Sequence, residues 1–235
     1  MFRVARGGAT WLIVPIVLAI LCLGLAGPLG LPWLVDVSPG FLFVFMLFLA
    51  FFRDPERTIT DGVASPADGK VVKVDEVDDP DIGPASRVSI FMRPQDVHVN
   101  RAPLEGDVRS VVHTPGKHVP AFSKDSDRNE RVTTMLRTEL GDVKVIQIAG
   151  AVARRIYPYI EGGEHLARGE RFGLIRLGSR CDVLVPQGAV EWQVELGQRV
   201  YAGSTRLGIP RSNRRNPPAP SAHTKRSAAI AEGVA

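Results

Sequence analysis

RFGLIRLGSRCDVLVP, residues 171–186, is the stretch on which the reading of the chain turns. Apolar residues alternate on either side of its centre, the period of a half-buried strand. Gly178, Ser179 and Arg180 interrupt that pattern where a strand would ordinarily run on. Glycine inside a strand marks a bulge or a tight turn. A Gly-Ser bond at such a place has a second, chemical reading, as a bond that the chain cuts in itself.

Outward from this stretch the same alternation recurs. KVVKVDEV (70–77), RVSIFM (87–92), GDVRSVVH (106–113), RVTTMLRTEL (131–140), DVKVIQIAG (142–150) and VEWQVELGQRVYAGSTRLGI (190–209) all read as strands punctuated by Gly, Pro and Asp. Strands at this spacing predict a mainly β fold, a sandwich or barrel-sandwich-like soluble domain with short helices. AVARRIYPYI (151–160) is the best helical interruption. EGDVRSVVHTPGKHV (105–119) and ELGQRVYAGSTRLG (195–208) share a weak Gly-strand-Gly-strand pattern, similar to biotinyl and lipoyl carrier modules. No Met-Lys pair of the kind those carriers present is found, so the likeness bears on fold alone.

An N-terminal hydrophobic helical hairpin is expected to precede this domain. Residues 7–35 carry no charge, Asp36 interrupts, and residues 37–52 are again uncharged. A bilayer core takes about 20 apolar residues as a helix, so the first run is long enough and the 39–52 run is short. A second run argues against a cleaved signal peptide, despite the basic Arg3 and Arg6. Arg3 and Arg6 before the first run, with Arg53 and Arg57 after the second, place both ends in the cytoplasm by the positive-inside rule. The expected divisions are an anchor over 1–53, a domain over 54–210 and a disordered tail over 211–235. The tail holds five Lys and Arg against Glu232 and is rich in Pro, Ala and Ser. Its charges suit anionic lipid. No aromatic residue interleaves them, so no nucleic-acid partner is expected. Cys22 and Cys181 imply no disulfide framework, and no metal-ligand spacing is present.

Three further places could carry chemistry. Asp68 lies in SPADGKV (65–71), where Pro, Asp and Gly also suit a plain turn. His98 lies in RPQDVHVNRAPLEG (93–106) within a Val-His-Val strand, where a lone histidine is more often structural than catalytic. Arg154 and Arg155 form a basic pair, either a solvated helix end or a clamp for phosphate or carboxylate. Asp, His and Ser can form a relay on many folds. Ser179, however, lacks the G-x-S-x-G elbow of a serine hydrolase.

FFRDPER, SPADGKV, VHVNRAPLEG, NERVTT, ARRI and RFGLIRLGSRCDVLVP, taken in order, resemble the phosphatidylserine decarboxylases in their short bacterial and archaeal form. The likeness runs from about residue 51 to 208. It implies a proenzyme that cleaves itself between Gly178 and Ser179, giving a β chain that ends at 178 and an α chain that begins with a pyruvoyl group made from Ser179. The two chains would stay together as a heterodimer, with further oligomerisation open. Asp68 and His98 match the family's partners of that serine, His98 as the proton acceptor and Asp68 as the holder of its tautomer. The long form has a second histidine where this chain has Gln95, so that residue's role does not transfer. The pyruvoyl ketone would replace an external electron-sink cofactor, with no metal. It would form a Schiff base with phosphatidylserine, release CO2, and yield phosphatidylethanolamine at the cytoplasmic face of the cell membrane. His98 would then reprotonate the carbon, a role worth about 10² to 10⁴-fold. A pyruvoyl decarboxylase of a soluble amino acid, and a non-enzymatic membrane-anchored β-module, are the competing readings.

Overall fold

The computed structural model describes residues 3–117, 128–150, 155–176 and 178–211. Alternating Val, Ile and Phe make the first two long strands, β2 (Gly69–Asp79) and β3 (Gly83–Met92), a hairpin. β3 pairs with β11 (Ser179–Pro186), which pairs with β7 (Gly141–Ile148). The sheet continues through β6 (Arg131–Thr138) and β5 (Gly106–Thr114) to β9 (His165–Leu166), and β13 (Arg199–Val200) closes its other edge along β2. These eight strands are antiparallel neighbours throughout and curl into a half-barrel. Two three-stranded sheets complete the domain. One orders β1 (Val63–Ala64), β14 (Arg206–Pro210) and β12 (Val190–Trp192); the other orders β4 (Val99–Arg101), β10 (Arg171–Ile175) and β8 (Ile156–Pro158). The chain is therefore mainly β, as its alternation predicts.

The core fills the curl. Ile90, Leu136, Val145, Phe172, Cys181 and Val183 are fully or almost fully buried in it, and each such aliphatic or aromatic side chain contributes about 1.5–3 kcal/mol. β11 is the most enclosed of the long strands, buried from Ser179 to Val185. Its alternate side chains Arg180 and Asp182 form a two-pronged ion pair at 2.9 Å on each prong. Burial pushes the Asp182 carboxyl up, against the pull of Arg180. Cys181 and Cys22 are both free thiols.

The apolar N-terminal runs form α1 (Ala9–Ala26) and α2 (Trp33–Phe51). Both are long and apolar enough to cross a bilayer. Ile13, Ile20, Leu23, Phe43 and Met46 leave their side chains exposed on them, an apolar surface too large for a monomer in water. The turn falls at 27–32, before Asp36. α2 therefore takes in six residues ahead of the short 39–52 run and gains full spanning length, with Asp36 in its first turn. A bridge between Val4 and Arg53, and the Ala5 N–H donating to the Phe52 carbonyl at 2.8 Å, bring both feet of the hairpin to one side.

Three expectations are corrected. Residues 156–158 are strand β8 rather than helix, because β10 offers a free edge that Ile156, Tyr157 and Pro158 cover; residues 151–154 lie outside the described ones. The 190–209 run is three short strands, broken where Gly197 and Gly203 turn the chain. The two segments of the weak repeat are not equivalent. The first forms the long β5, while the second holds only β13 and part of β14, in different sheets. The tail beyond 211 also lies outside the described residues.

Candidate active site

Gly178 and Ser179 form the junction between β10 and β11. Gly178 has φ of +68°, in the left-handed region that costs other residues about 1–2 kcal/mol. A Cβ built on it would meet no atom within 4 Å beyond its two chain neighbours. Glycine suits that backbone conformation because it carries no Cβ. Ser179 starts β11 opposite Met92 of β3, is fully buried, and its Oγ has no hydrogen-bond partner. A buried hydroxyl without a partner costs about 1–3 kcal/mol, a cost that marks functional atoms.

His98 sits just ahead of β4, its carbonyl accepting the Ile175 N–H at 3.2 Å, four residues before Ser179. Met92, opposite Ser179, leads through the turn at 93–97 to His98, so both residues lie at the same end of their strands. Its Nδ1 lies 2.8 Å from the main-chain carbonyl of Asp96. A carbonyl oxygen only accepts, so Nδ1 carries the proton and Nε2 keeps its lone pair. Nε2 is buried and without a partner. Burial drives the ring down to about 4, with the Arg53 charge pushing the same way more weakly. His98 is thus a neutral base with a bare nitrogen at ordinary pH.

Asp96, rather than Asp68, occupies the place that fixes this tautomer. Its own carboxylate accepts the Arg93 N–H at 2.8 Å and pairs with Arg199, which holds the turn around the ring. Asp68 instead accepts from Arg57 and from the Ala202 N–H, at 2.8 and 2.7 Å. Burial raises its carboxyl despite both donors. Asp68 thereby ties the SPADGKV loop to the β13–β14 turn. The same loop reaches His98's strand through Pro66, whose carbonyl accepts the Arg101 N–H at 3.0 Å and the Asn100 amide at 3.3 Å. Asn100 also accepts from Gln147 at 2.8 Å and reaches the Met92 sulfur at 3.7 Å. Gly173 is small because a Cβ there would stand 2.7 Å from the Gln147 amide.

The sequence reading misses Asp96, Asn100 and Gln147, although the first two lie inside a quoted motif. It also misses Phe51. That ring, near the end of α2, lies 4.5 Å from the His98 ring, centroid to centroid. Phe48, Phe52, Val97, Val99 and Leu174 pack with it. The feet of the hairpin are therefore one wall of the site. Of the basic pair, Arg154 lies outside the described residues and Arg155 exposes its side chain. No group of His, Cys, Asp and Glu among the described residues could hold a metal ion.

Comparison with known proteins gives this geometry its context. The family described as Phosphatidylserine decarboxylase matches residues 44–208. The chain is 52% identical over 206 residues to the phosphatidylserine decarboxylase proenzyme of Streptomyces coelicolor, covering 87% of this chain and 91% of that protein. It is 51% identical over 206 residues to that of Streptomyces griseus, with 87% and 93% covered. To that of Thermobifida fusca it is 46% identical over 216 residues, with 87% and 92% covered. The matched span takes in Asp68, His98, Gly178 and Ser179 together with the foot of α2, and on that extent the chain belongs to the phosphatidylserine decarboxylase family.

Proposed function

We propose that this chain is a self-cleaving, pyruvoyl-dependent decarboxylase that converts phosphatidylserine to phosphatidylethanolamine and CO2. One observation carries the reading: Ser179 Oγ and His98 Nε2 are both buried and both unpartnered among the described residues, and a left-handed Gly178 immediately precedes the serine. Ser179 Oγ attacks the Gly178 carbonyl carbon while His98 Nε2 takes the hydroxyl proton. The Gly178–Ser179 amide bond breaks and an ester takes its place, with the proton passing to the Ser179 nitrogen. Loss of the Ser179 Cα proton then expels the Gly178 carboxylate by β-elimination. One water hydrolyses the remaining enamine, through its imine tautomer, to a ketone and ammonia. The residues fit the group that results, since Ser179 is enclosed and its oxygen has no competing partner.

A pyruvoyl group at Ser179 would supply the ketone that takes the lipid's amine and an electron sink for the pair left when CO2 departs. The protein's share is to exclude water, hold the bare His98 Nε2 at the site, and return a proton from it to the carbon that lost CO2. Asp68 supports this by anchoring the loop behind His98's strand. After cleavage β11 to β14 belong to the α chain, yet β11 remains between β3 and β7 of the β chain. The two chains therefore stay joined as a heterodimer.

The hairpin explains the substrate. Its feet touch His98 through Phe51, so the site opens where lipid head groups would lie if α1 and α2 cross the bilayer. With Arg3, Arg6, Arg53 and Arg57 at those feet, the domain faces the cytoplasm at the cell membrane. Intact mass tests the reading. The wild type should give two chains cut after Gly178, the α chain lighter by one ammonia than a free serine terminus would make it. Ser179→Ala should give one uncut chain. A wild-type protein found as a single chain, or a cut elsewhere, overturns the assignment. Release of CO2 from phosphatidylserine micelles, compared with free serine, tests the lipid.

A further inference from the structure

Arg176 lies two residues before Gly178, at the end of β10. Its guanidinium carbon stands 4.8 Å from the centroid of Trp11 in α1 and 4.7 Å from that of Tyr157 in β8. Among the described residues the guanidinium makes one hydrogen bond, from Nη2 to the Tyr157 hydroxyl at 2.7 Å. Nε is buried and has no partner. Among the described residues no carboxylate pairs with it, whereas Arg57, Arg101, Arg171 and Arg180 each pair with an aspartate. Two aromatic faces thus fix a partly buried cation in place while leaving most of its donors unused. It stands between the scissile bond and the first helix of the hairpin.

We propose that Arg176 is the ligand of the substrate's phosphodiester, an inference that rests on the function proposed above. The substrate carries two anions. A cation gripping the carboxylate would stabilise the charge that decarboxylation removes, and so would favour the ground state over the transition state. The phosphodiester keeps its charge from substrate to product. A fork of N–H donors held near two aromatic rings suits its oxygens. The contact with Trp11 puts that fork at the foot of α1, where a lipid phosphate comes to rest. Arg155, singled out from the sequence, contributes its carbonyl, which accepts the Arg176 N–H at 3.4 Å.

The test is Arg176→Gln in mixed micelles, with phosphatidylethanolamine as product inhibitor. Loss of a charge-assisted contact should raise KM for phosphatidylserine about 10- to 100-fold, with a smaller effect on kcat. Inhibition by phosphatidylethanolamine should weaken by the same factor, because product and substrate share the phosphodiester. Arg176→Lys, which keeps the cation between the rings, should recover part of both. Inorganic phosphate should not raise the wild-type KM. Four outcomes overturn the inference. An unmoved KM does so, as does a raised KM with unchanged product inhibition, which would assign the cation to the carboxylate. Competition by inorganic phosphate alone would assign it to a free anion. Poor maturation in both variants, with an ordinary KM in the matured fraction, would make Arg176 a clasp for the hairpin. Wild-type protein that releases no CO2 from phosphatidylserine sinks the proposed function, and this inference with it.

Discussion

Replacing Phe51 with alanine should change the acidity of a histidine on another element. The Phe51 ring is 4.5 Å from the His98 ring and covers it from the hairpin side. Burial holds His98 at about 4, against an ordinary 6.5. That difference, about 2.5 units, corresponds to roughly 3 kcal/mol at 1.36 kcal/mol per unit. Since the folded value is depressed, the stability it represents is fully present above the ordinary value. It is lost as pH falls from about 6.5 to about 4. Phe51→Ala admits water, so the ring should titrate nearer 6.5, and the variant should lose less stability over that window. At pH 5 a base titrating near 4 is about nine-tenths neutral, and one titrating at 6.5 about three-hundredths. A step needing the neutral ring should therefore be up to about 30-fold slower in the variant at pH 5 and nearly equal at pH 8. NMR titration of the imidazole, in Ser179→Ala chains with and without Phe51→Ala, reads the shift without relying on cleavage. Identical titration midpoints in the two chains would refute the reasoning.

Gly178→Ala should fold but mature more slowly, since its Cβ meets nothing beyond its chain neighbours while φ of +68° costs about 1–2 kcal/mol; a pulse-chase gel with wild-type kinetics would contradict this. His98→Gln and Asp68→Ala should both slow cleavage, the first through the proton acceptor and the second through loss of the Arg57 and Ala202 contacts, and normal processing of both by mass would remove these roles. Asp182→Asn removes the buried carboxylate that takes both prongs of this ion pair, so urea unfolding of the uncut chain should show a loss of about 3–5 kcal/mol; a loss below about 1 kcal/mol would show that the pair contributes little. Protease added to intact cells should leave the domain whole, and its digestion would reverse the orientation drawn from Arg3, Arg6, Arg53 and Arg57.

The long strands were legible because alternation at period two is a local signal. β2, β3 and β5 contain the runs that announce them, and β6 and β7 take in all but the last two residues of theirs. β8 was not, because Ile156 to Pro158 become a strand only through the edge that β10 lends them. The site divides in the same way. Gly178 and Ser179 are chain neighbours, and their pairing is visible as text. The tautomer of His98 depends on a main-chain carbonyl, which every residue has, so nothing in the sequence singles out Asp96. Asp68 was found, but its partners Arg57 and Ala202 come together through the β13–β14 turn. Phe51 and Trp11 read as membrane residues, and their contacts with His98 and Arg176 appear only when the hairpin folds back on the domain.

The place of β11 between β3 and β7 has a kinetic consequence. An uncut chain that unfolds can find its way back, because its strands remain one molecule. Once the bond before Ser179 is broken, unfolding releases two pieces, and recovery becomes an encounter whose rate falls with dilution. By the proposed mechanism the cut end could no longer supply the ester chemistry that makes the ketone, so maturation would happen once in a molecule's life. The mature enzyme must then last by a high unfolding barrier rather than by a reversible balance. Its scanning denaturation should depend on heating rate and fail to recover on cooling, where that of the Ser179→Ala chain recovers.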